Sequence, residues 1–219
     1  MGIEIDLLRN YPKSKRNTNA RQKIKTPEMI AIARQYGKEF FDGDRDHGYG
    51  GFHYNPRFWQ PVIPDLKSHF GLNEDSKVLD IGCAKGFMLH DMRQLIPGIE
   101  VNGIDVSEYA IDNGIDDVRD CLQVGDAREL PYEDNSFDAV ISINTVHNLD
   151  RDECAQAIRE IERVSRGKSF ITVDAYRNEE EKERMMDWAL TAKTILSVEG
   201  WKAFFKEVGY SGDFYWFIP

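Results

Sequence analysis

The amino-acid sequence predicts an α/β protein: a doubly wound, mainly parallel sheet flanked by helices, with a helical and loop-rich N-terminal extension. The first observation is that strand-like and helix-like patterns alternate over residues 77–218. The second is that the strand-like segments are rich in Val and Ile and poor in charge, as strands covered on both faces are. The third is that the apolar run 77–82 ends in an acid and a glycine before a helical pattern begins, which is typical of a tight strand-to-helix turn.

Each element can be placed along the chain. Strands are predicted at 77–82, 100–106, 121–125, 137–143, 168–174 and 213–218. A first helix is predicted at 27–41, because Thr26 can cap a helix that begins with Pro27. Further helices are predicted at 61–70, 87–95, 151–165, 179–196 and 199–208. Residues 1–70 therefore form an N-terminal extension with a basic arm, a helix and a Gly-rich aromatic segment, and residues 71–219 form the α/β domain.

Composition limits the classes of function. The chain has 219 residues, of which 41% are hydrophobic and 11% aromatic, so it can bury a core and is not a disordered tail. No run reaches the roughly 18 apolar residues that span a membrane, and the N-terminus lacks the pattern of a signal peptide. The three cysteines are widely spaced, which argues against disulfides and a structural zinc site. We expect a cytosolic protein with reduced thiols and no membrane partner.

Charge is distributed unevenly along the chain. Residues 7–25 contain seven basic side chains and no acid, whereas the whole chain has a net charge of −10. With Glu4 and Asp6 set aside, the remainder carries a charge of about −15, which would repel nucleic acid. The arm is either a solvated basic terminus or a segment that attracts an anionic group, such as a phosphate or carboxylate on a substrate.

Polar residues follow the predicted strands at their carboxyl ends, where ligands of open α/β sheets bind. Asp105 ends the second strand, 25 positions after Asp80, and a carboxylate at about this distance from a glycine turn accepts hydrogen bonds from ribose hydroxyls. The alternative role of Asp105 is a helix N-cap. Asp126 follows the third strand, where it either reads the amino edge of adenine or makes a simple turn. Residues 142–149 follow the fourth strand and are the predicted reacting centre.

These motifs resemble those of class I S-adenosylmethionine-dependent methyltransferases, especially the small-molecule branch. The resemblance covers about residues 77–175 and rests on four segments in order: 78–86, 103–105, 125–127 and 136–142. It implies a Rossmann-like sheet and S-adenosyl-L-methionine as cofactor. A nicotinamide-binding oxidoreductase is the rival interpretation, but the glycine turn lacks the G-x-G-x-x-G pattern that it needs.

The resemblance also implies the residues that hold the cofactor. They are Gly82 and Gly86 beside the methionine part, Asp105 at the ribose, Val106 on the adenine face, Asp126 and Ala127 at the adenine edge, and Asp80, Cys83 and Asn144 nearby. Cys83 is expected to be a buried packing residue and not a nucleophile.

Two positions depart from the family pattern. Ala84 stands where the family often has a glycine, which costs little if the backbone there keeps a negative φ. Only one strand is predicted after Trp201, whereas the family sheet usually has seven strands and ends in an antiparallel hairpin.

Candidate substrate residues lie outside these motifs. His147 is the candidate general base because the ordinary pKa of imidazole lies close to neutrality; the alternative is a packing role. Tyr49 and Tyr54 belong to a Gly-rich loop that we expect to close as a lid, because aromatic faces attract a sulfonium or ammonium; the alternative is that the loop packs on the sheet edge. Tyr176 follows the fifth strand and is expected near the substrate. No metal site is expected, because adjacent acids in loop 42–54 are typical of solvated positions.

The expected function is methyl transfer from S-adenosylmethionine to an O or N atom of a small metabolite, and the basic arm favours an anionic one. A second hypothesis is RNA methylation, with the arm on the RNA backbone. A third is a protein that binds S-adenosylmethionine or S-adenosylhomocysteine without catalysis. Met185, Met186 and Trp188 are expected to line either a substrate pocket or the face of a homodimer.

Overall fold

The computed structural model describes residues 2–12 and 25–219, so most of the predicted basic arm lies outside the described residues. The N-terminal extension contains α1 (Pro27–Ala33), α2 (Lys38–Phe41), a 3₁₀ turn (Arg45–His47) and α3 (Ile63–Phe70). Thr26 caps α1 as predicted, because its side chain accepts a hydrogen bond from the backbone N–H of Met29. The prediction of one continuous helix over 27–41 is wrong. Tyr36 adopts a left-handed φ of 50°, which separates α1 from α2.

A seven-stranded sheet follows the extension. Its elements are β1 (Lys77–Ile81), α4 (Phe87–Leu95), β2 (Glu100–Asp105), α5 (Glu108–Asp112), β3 (Leu122–Val124), β4 (Ala139–Ile143), α6 (Arg151–Val164), β5 (Ser169–Tyr176), α7 (Glu179–Trp188), β6 (Leu196–Ser197), α8 (Val198–Val208) and β7 (Asp213–Phe217). The strand order is β3-β2-β1-β4-β5, and β5 also pairs with β6 and β7. Every one of these pairings is parallel. The predicted doubly wound α/β architecture is therefore confirmed.

The last strand departs from the arrangement that the resemblance implies. β7 pairs with β5 in parallel over Phe170 to Asp174 and forms no antiparallel hairpin. The single strand predicted after Trp201 is confirmed, whereas the two-residue strand β6 is not predicted from the sequence. Residues 3–5 add to the edge of β7, where the Ile5 N–H donates to the Phe214 carbonyl at 3.0 Å. This pairing covers a strand edge that would otherwise expose unpaired backbone groups.

The sheet separates two apolar clusters. Successive residues of β5 point to opposite faces, so Ile171 belongs to one cluster and Phe170 to the other. The first cluster contains Trp201 of α8, and the second contains Leu89 of α4. Burial of one such side chain contributes roughly 1.5–3 kcal/mol, and packing on both faces fixes the positions of the strand ends.

The predicted helix at 179–196 is wrong in its second half. α7 ends at Trp188, and residues 189–195 form an irregular segment that returns to the sheet. The N–H groups of Lys193 and Thr194 donate to the carbonyl oxygen of His147 at 3.0 and 2.9 Å. The segment is thereby fixed beside the carboxyl ends of β4 and β5, where β6 also pairs with Ala175 and Tyr176.

Candidate functional site

The turn after β1 contains three left-handed residues within five positions. Gly82, Ala84 and Gly86 have φ values of 81°, 48° and 75°. The backbone at Ala84 does not keep the negative φ under which alanine would cost little, so this residue carries the cost of a side chain in left-handed backbone, about 1–2 kcal/mol. At Gly82 an added Cβ would lie 2.0 Å from Oγ1 of Thr145. Glycine is therefore required here, because the turn packs directly against the residue that follows Asn144.

Asp105 faces this turn from the end of β2. Its Oδ2 accepts the Ala84 N–H at 2.8 Å, and its Oδ1 accepts the Ser107 N–H at 2.9 Å. Burial raises the pKa of Asp105, while these backbone hydrogen bonds act in the opposite direction. Each carboxylate oxygen has about two acceptor positions, so both can accept a further hydroxyl. The helix N-cap is Ser107, whose hydroxyl accepts the Ala110 N–H, so the alternative capping role does not belong to Asp105.

Asp80 and Cys83 lie under the turn and are both buried. Burial and the nearby Asp105 carboxylate raise the pKa of Asp80 to about 8. Burial raises the pKa of the Cys83 thiol well above its usual value, so this cysteine is an inert packing group at neutral pH. We interpret both residues as support for the turn, whereas the sequence placed them among the groups that contact the cofactor.

The ends of β2 and β3 present an apolar surface and one carboxylate that is already paired with an arginine. The side chains of Val106 and Val124 are exposed, with 58% and 48% of their surface accessible. Asp126 is paired with Arg128, whose Nη2 lies 2.5 Å from Oδ2, and this contact lowers the pKa of Asp126. Ala127 packs against the core cluster on the α6 side. A flat apolar ligand therefore has a surface on Val106, while Asp126 already has a cationic partner.

Two residues that follow β4 have different surroundings: Asn144 is a polar residue held in one orientation, and His147 is buried. Asn144 has a φ of 52°, and its Oδ1 accepts a hydrogen bond from Oγ1 of Thr172 at 2.9 Å. His147 is buried, with 4% of its side chain accessible. Its Nδ1 accepts the Asp174 N–H at 3.0 Å, and its Nε2 lies 3.6 Å from the Asp174 carboxylate.

Burial lowers the pKa of His147, although the carboxylate of Asp174 opposes the shift. A histidine that is buried in this way cannot reach an acceptor at the sheet edge without moving. This burial favours the packing role of His147 over the alternative role of general base. The imidazole instead fixes the end of β5, and the carbonyl oxygen of His147 fixes residues 193 and 194.

The N-terminal extension is fastened to the turn by a buried ion pair. Nζ of Lys85 lies 2.6 Å from Oδ2 of Asp42 and also donates to the Phe52 carbonyl at 3.1 Å. The Tyr109 hydroxyl and the Phe52 N–H donate to the same Asp42 carboxylate. Burial alone would raise the pKa of Asp42, but these hydrogen bonds outweigh it and hold the pKa at about 2. No local sequence pattern predicts this pair, because its members are 43 residues apart.

The three aromatic candidates occupy different places. Tyr49 packs on the rings of Phe41 and Phe52, and 40% of its surface remains exposed. Tyr54 donates its hydroxyl to Asp91 of α4 at 2.7 Å, and burial followed by this carboxylate raises its pKa to about 12. This contact holds Tyr54 on the outer helix and does not favour the predicted substrate role. Tyr176 ends β5 opposite Ser197, at the same sheet edge as Asn144.

Tyr36 is a site residue that the sequence analysis missed. Burial raises its pKa to about 12, the nearby Asp105 carboxylate adds to this shift, and the neighbouring side chains of Arg34 and Thr191 act in the opposite direction. Its carbonyl accepts the Ser107 hydroxyl at 2.5 Å. Tyr36 therefore connects the Asp105 end of β2 with the irregular segment after α7. The local feature that marks Tyr36 is its left-handed backbone, and a tyrosine in the sequence does not by itself predict that conformation.

Within residues 2–12 and 25–219, no helix is long and apolar enough to cross a membrane. Nor do the described His, Cys, Asp and Glu side chains gather in a group of three or more that could hold a metal ion.

Comparison with known proteins agrees with the geometry. Residues 79–173 match the family described as a methyltransferase domain. The chain is 31% identical to a sterol 24-C-methyltransferase of Neurospora crassa over 59% of this chain and 38% of that protein. It is 32% identical to a tRNA (carboxymethyluridine(34)-5-O)-methyltransferase of Arabidopsis thaliana over 80% of this chain and 40% of that protein. The chain spans less than two thirds of the length of the curated relatives that it matches first.

Solved structures share the fold. The YcgJ protein of Bacillus subtilis superimposes with a TM-score of 0.55 at 19% identity, covering 67% of this chain and 66% of that one. Residues 79–173 therefore form a class I S-adenosylmethionine-dependent methyltransferase domain, as the resemblance implies. Members of this family use S-adenosyl-L-methionine as methyl donor.

Proposed function

We propose that this protein is a cytosolic enzyme that transfers the methyl group of S-adenosylmethionine to an O or N atom of a small, anionic metabolite. The observation that carries the proposal is the meeting of the left-handed turn at residues 82–86 with the Asp105 carboxylate, which accepts the Ala84 N–H. This arrangement offers close backbone approach beside an acid that can accept ribose hydroxyls.

The residues present fit the cofactor that the family uses. Gly82 and Gly86 would lie beside its methionine part, and Asp105 would bind its ribose through the acceptor positions that Ala84 and Ser107 leave open. The exposed face of Val106 would pack on adenine. Asp126 would reach the adenine edge only beside its partner Arg128.

When bound, the cofactor supplies an electrophilic methyl group on a sulfonium. Transfer of this group is an in-line displacement, so the protein contributes chiefly through alignment and through exclusion of water. Asn144, which Thr172 holds in one orientation, supplies a fixed polar group at the sheet edge. His147 acts as a positioning residue that holds the end of β5 and residues 193–194. Tyr49 would form part of a lid, because its partly exposed ring belongs to the segment fastened to Lys85.

Calorimetric titration with S-adenosylmethionine and S-adenosylhomocysteine tests the cofactor site. Asp105→Asn keeps the size of the side chain but removes its charge, and hydrogen bonds to a charged group contribute roughly 1.5–3 kcal/mol each. We expect affinity for both ligands to fall about tenfold to a hundredfold in this variant. Asp75→Ala, which alters an exposed acid before β1, should bind like the wild type.

Equal binding by wild type and Asp105→Asn would contradict the ribose assignment. Absence of binding by folded wild type would contradict the proposed function itself. If both ligands bind but no methyl transfer to any acceptor in a broad screen of metabolites and RNA can be measured, the non-catalytic binding protein is the better explanation.

RNA methylation is the second candidate, and two observations favour it. Seven basic residues cluster at 7–25, and the Arabidopsis relative that covers 80% of this chain is named as a tRNA methyltransferase. Binding of transfer RNA should then weaken steeply with salt, with a slope of roughly −0.7 to −0.9 for each phosphate neutralised. The charge of about −15 on the remainder of the chain opposes this function, and absence of salt-dependent RNA binding would exclude it.

A further inference from the structure

A cleft of about 270 Å³ lies between α1 and the irregular segment that follows α7. The described residues that line it are Lys25, Ile30, Arg34, Met186, Ala189, Leu190, Ala192, Lys193 and Ile195. We call this space the acceptor cleft. It is slightly smaller than the roughly 300–1,000 Å³ pockets that hold drug-sized ligands, so its size suits a small molecule.

The acceptor cleft is connected to the predicted cofactor site by a few residues. Arg34 donates to the Ala192 carbonyl at 3.3 Å, and two positions later Tyr36 accepts the Ser107 hydroxyl beside Asp105. On the other wall, residues 193 and 194 are fixed to the carbonyl oxygen of His147, three positions after Asn144. Hydrogen bonds therefore connect both walls of the cleft to residues that follow β2 and β4, the two strands on either side of β1.

The chemistry of the lining combines cations with apolar walls. Three of the described lining residues are basic, and none is acidic. Nζ of Lys25 donates to the carbonyls of Met186 and Ala189, and Nζ of Lys193 lies 3.0 Å from Asp150 outside the cleft. An arginine has five N–H donors, and the hydrogen bond from Arg34 to Ala192 uses one of them.

The apolar part of the lining comes from both walls. Ile30 belongs to α1, whereas Leu190 and Ile195 belong to the irregular segment. Because the whole chain is acidic, with a net charge of −10, a basic cleft with no acid among its described lining residues is a local exception. A small anion with an apolar body matches the basic and the apolar parts of the lining. Its negative charge would bind Arg34, while its apolar body would pack on Ile30 and Ile195.

We infer that the acceptor substrate is a small carboxylate with an aromatic or aliphatic body, and that Arg34 selects its negative charge. This inference rests on the proposed function and specifies its substrate class. Arg34 contributes specificity because a planar guanidinium can bind a carboxylate through two parallel N–H groups. The sequence suggested an anionic substrate through the basic arm 7–25, whereas in the structure the candidate group is Arg34, which lies outside that arm, and only Lys25 of the arm lines the cleft among the described residues.

Three probes of similar size and different charge test the inference: benzoate, benzyl alcohol and benzylamine. Their binding is measured by saturation-transfer NMR with S-adenosylhomocysteine present. We expect benzoate to bind the wild type best and benzylamine worst. Arg34→Gln should weaken benzoate binding roughly tenfold, which is the effect of one charge-assisted hydrogen bond. Arg34→Glu should reverse the order and favour benzylamine.

Arg159→Glu provides the matched control, because it makes the same charge change at an exposed position of α6. Its probe preferences should equal those of the wild type. Ile30→Ser should weaken the binding of all three probes without changing their order of affinity, because it alters the apolar wall alone. An unchanged preference in Arg34→Glu, or an equal shift in Arg159→Glu, would overturn the inference.

The same samples separate this inference from the proposed function. Titration with S-adenosylhomocysteine reports on the cofactor site and on whether each variant is folded. Normal affinity for S-adenosylhomocysteine without a preference for benzoate would overturn the substrate class and leave methyl transfer standing. If the wild type does not bind S-adenosylhomocysteine, the proposed function is contradicted, whichever probe binds best.

Discussion

The ion pair between Lys85 and Asp42 should couple the N-terminal extension energetically to the left-handed turn at residues 82–86. The side chains are 7% and 18% exposed, and Nζ and Oδ2 are 2.6 Å apart. Removing one partner of a fully buried pair costs about 3–5 kcal/mol. Asp42 retains some exposure and the Phe52 carbonyl remains as a partner for Lys85, so we expect a cost of about 2–3 kcal/mol for each single variant.

A double-mutant cycle isolates the energy of this contact. The variants are Asp42→Asn, Lys85→Met and the double variant, and urea unfolding followed by tryptophan fluorescence gives the free energy of unfolding of each. We expect a coupling energy of about 1–2 kcal/mol, because the two charges share one buried contact. The exposed pair Glu180–Arg184 on α7, at 2.8 Å, should give only about 0.2–0.5 kcal/mol in the same cycle.

Acid pH supplies a second readout of the same contact. The folded-state pKa of Asp42 is about 2, below its ordinary value of 3.8. A depressed pKa contributes stability that is present above the unfolded pKa and is lost as the pH falls through the folded one. The stability difference between wild type and Asp42→Asn should therefore shrink between about pH 4 and pH 2. A coupling energy equal to that of the exposed pair, with no such convergence, would refute the reasoning.

The remaining predictions concern the turn and the buried histidine. Gly82→Ala should lower the free energy of unfolding by more than about 2 kcal/mol, because it adds a clash with Thr145 to left-handed strain. Gly167→Ala adds a side chain at a φ of 90° with no atom within 4 Å, so it should cost only the strain of about 1–2 kcal/mol and leave affinity for S-adenosylhomocysteine unchanged. Equal losses would mean that the Thr145 contact is unimportant. For His147, a folded pKa below the unfolded value means that stability falls as the pH drops below about 6.5. Urea unfolding at pH 7.5 and 5.5 should show a smaller decline in His147→Gln than in the wild type, and an equal decline would assign the pH dependence to other groups.

The parts of the site that the sequence predicted depend on local spacing. Asp105 follows an apolar strand at a fixed distance from the glycine turn, so its position relative to Gly82 depends on one strand–helix–strand unit. The unpredicted contacts involve residues that are distant in the chain. Lys85 meets Asp42, and Tyr36 meets Ser107, through packing of the extension on the sheet. No periodicity in either segment encodes that packing.

Strand position was also easier to predict than direction or exposure. The apolar pattern at 213–218 indicates a strand, but the choice between parallel and antiparallel pairing depends on how α8 returns the chain to β5. His147 follows β4 as predicted, yet a 3₁₀ turn at Val146–Asn148 directs its side chain into the core. A one-residue difference in such a turn decides whether a side chain faces solvent, and sequence pattern does not resolve it.

The residues that match the family and the residues that line the acceptor cleft belong to different parts of the chain. This division explains why relatives with different named substrates reveal little about the substrate of this protein. The family match covers residues 79–173, which contain the turn, Asp105, Asn144 and His147. The described residues that line the acceptor cleft come from 25–34 and 186–195, outside that match at both ends. Tyr36 and the carbonyl oxygen of His147 join these segments to the shared domain. If the proposed function holds, substitutions in the two outer segments would change the choice of substrate while the turn at residues 82–86 stays the same, and Arg34 is where such a change should be sought first.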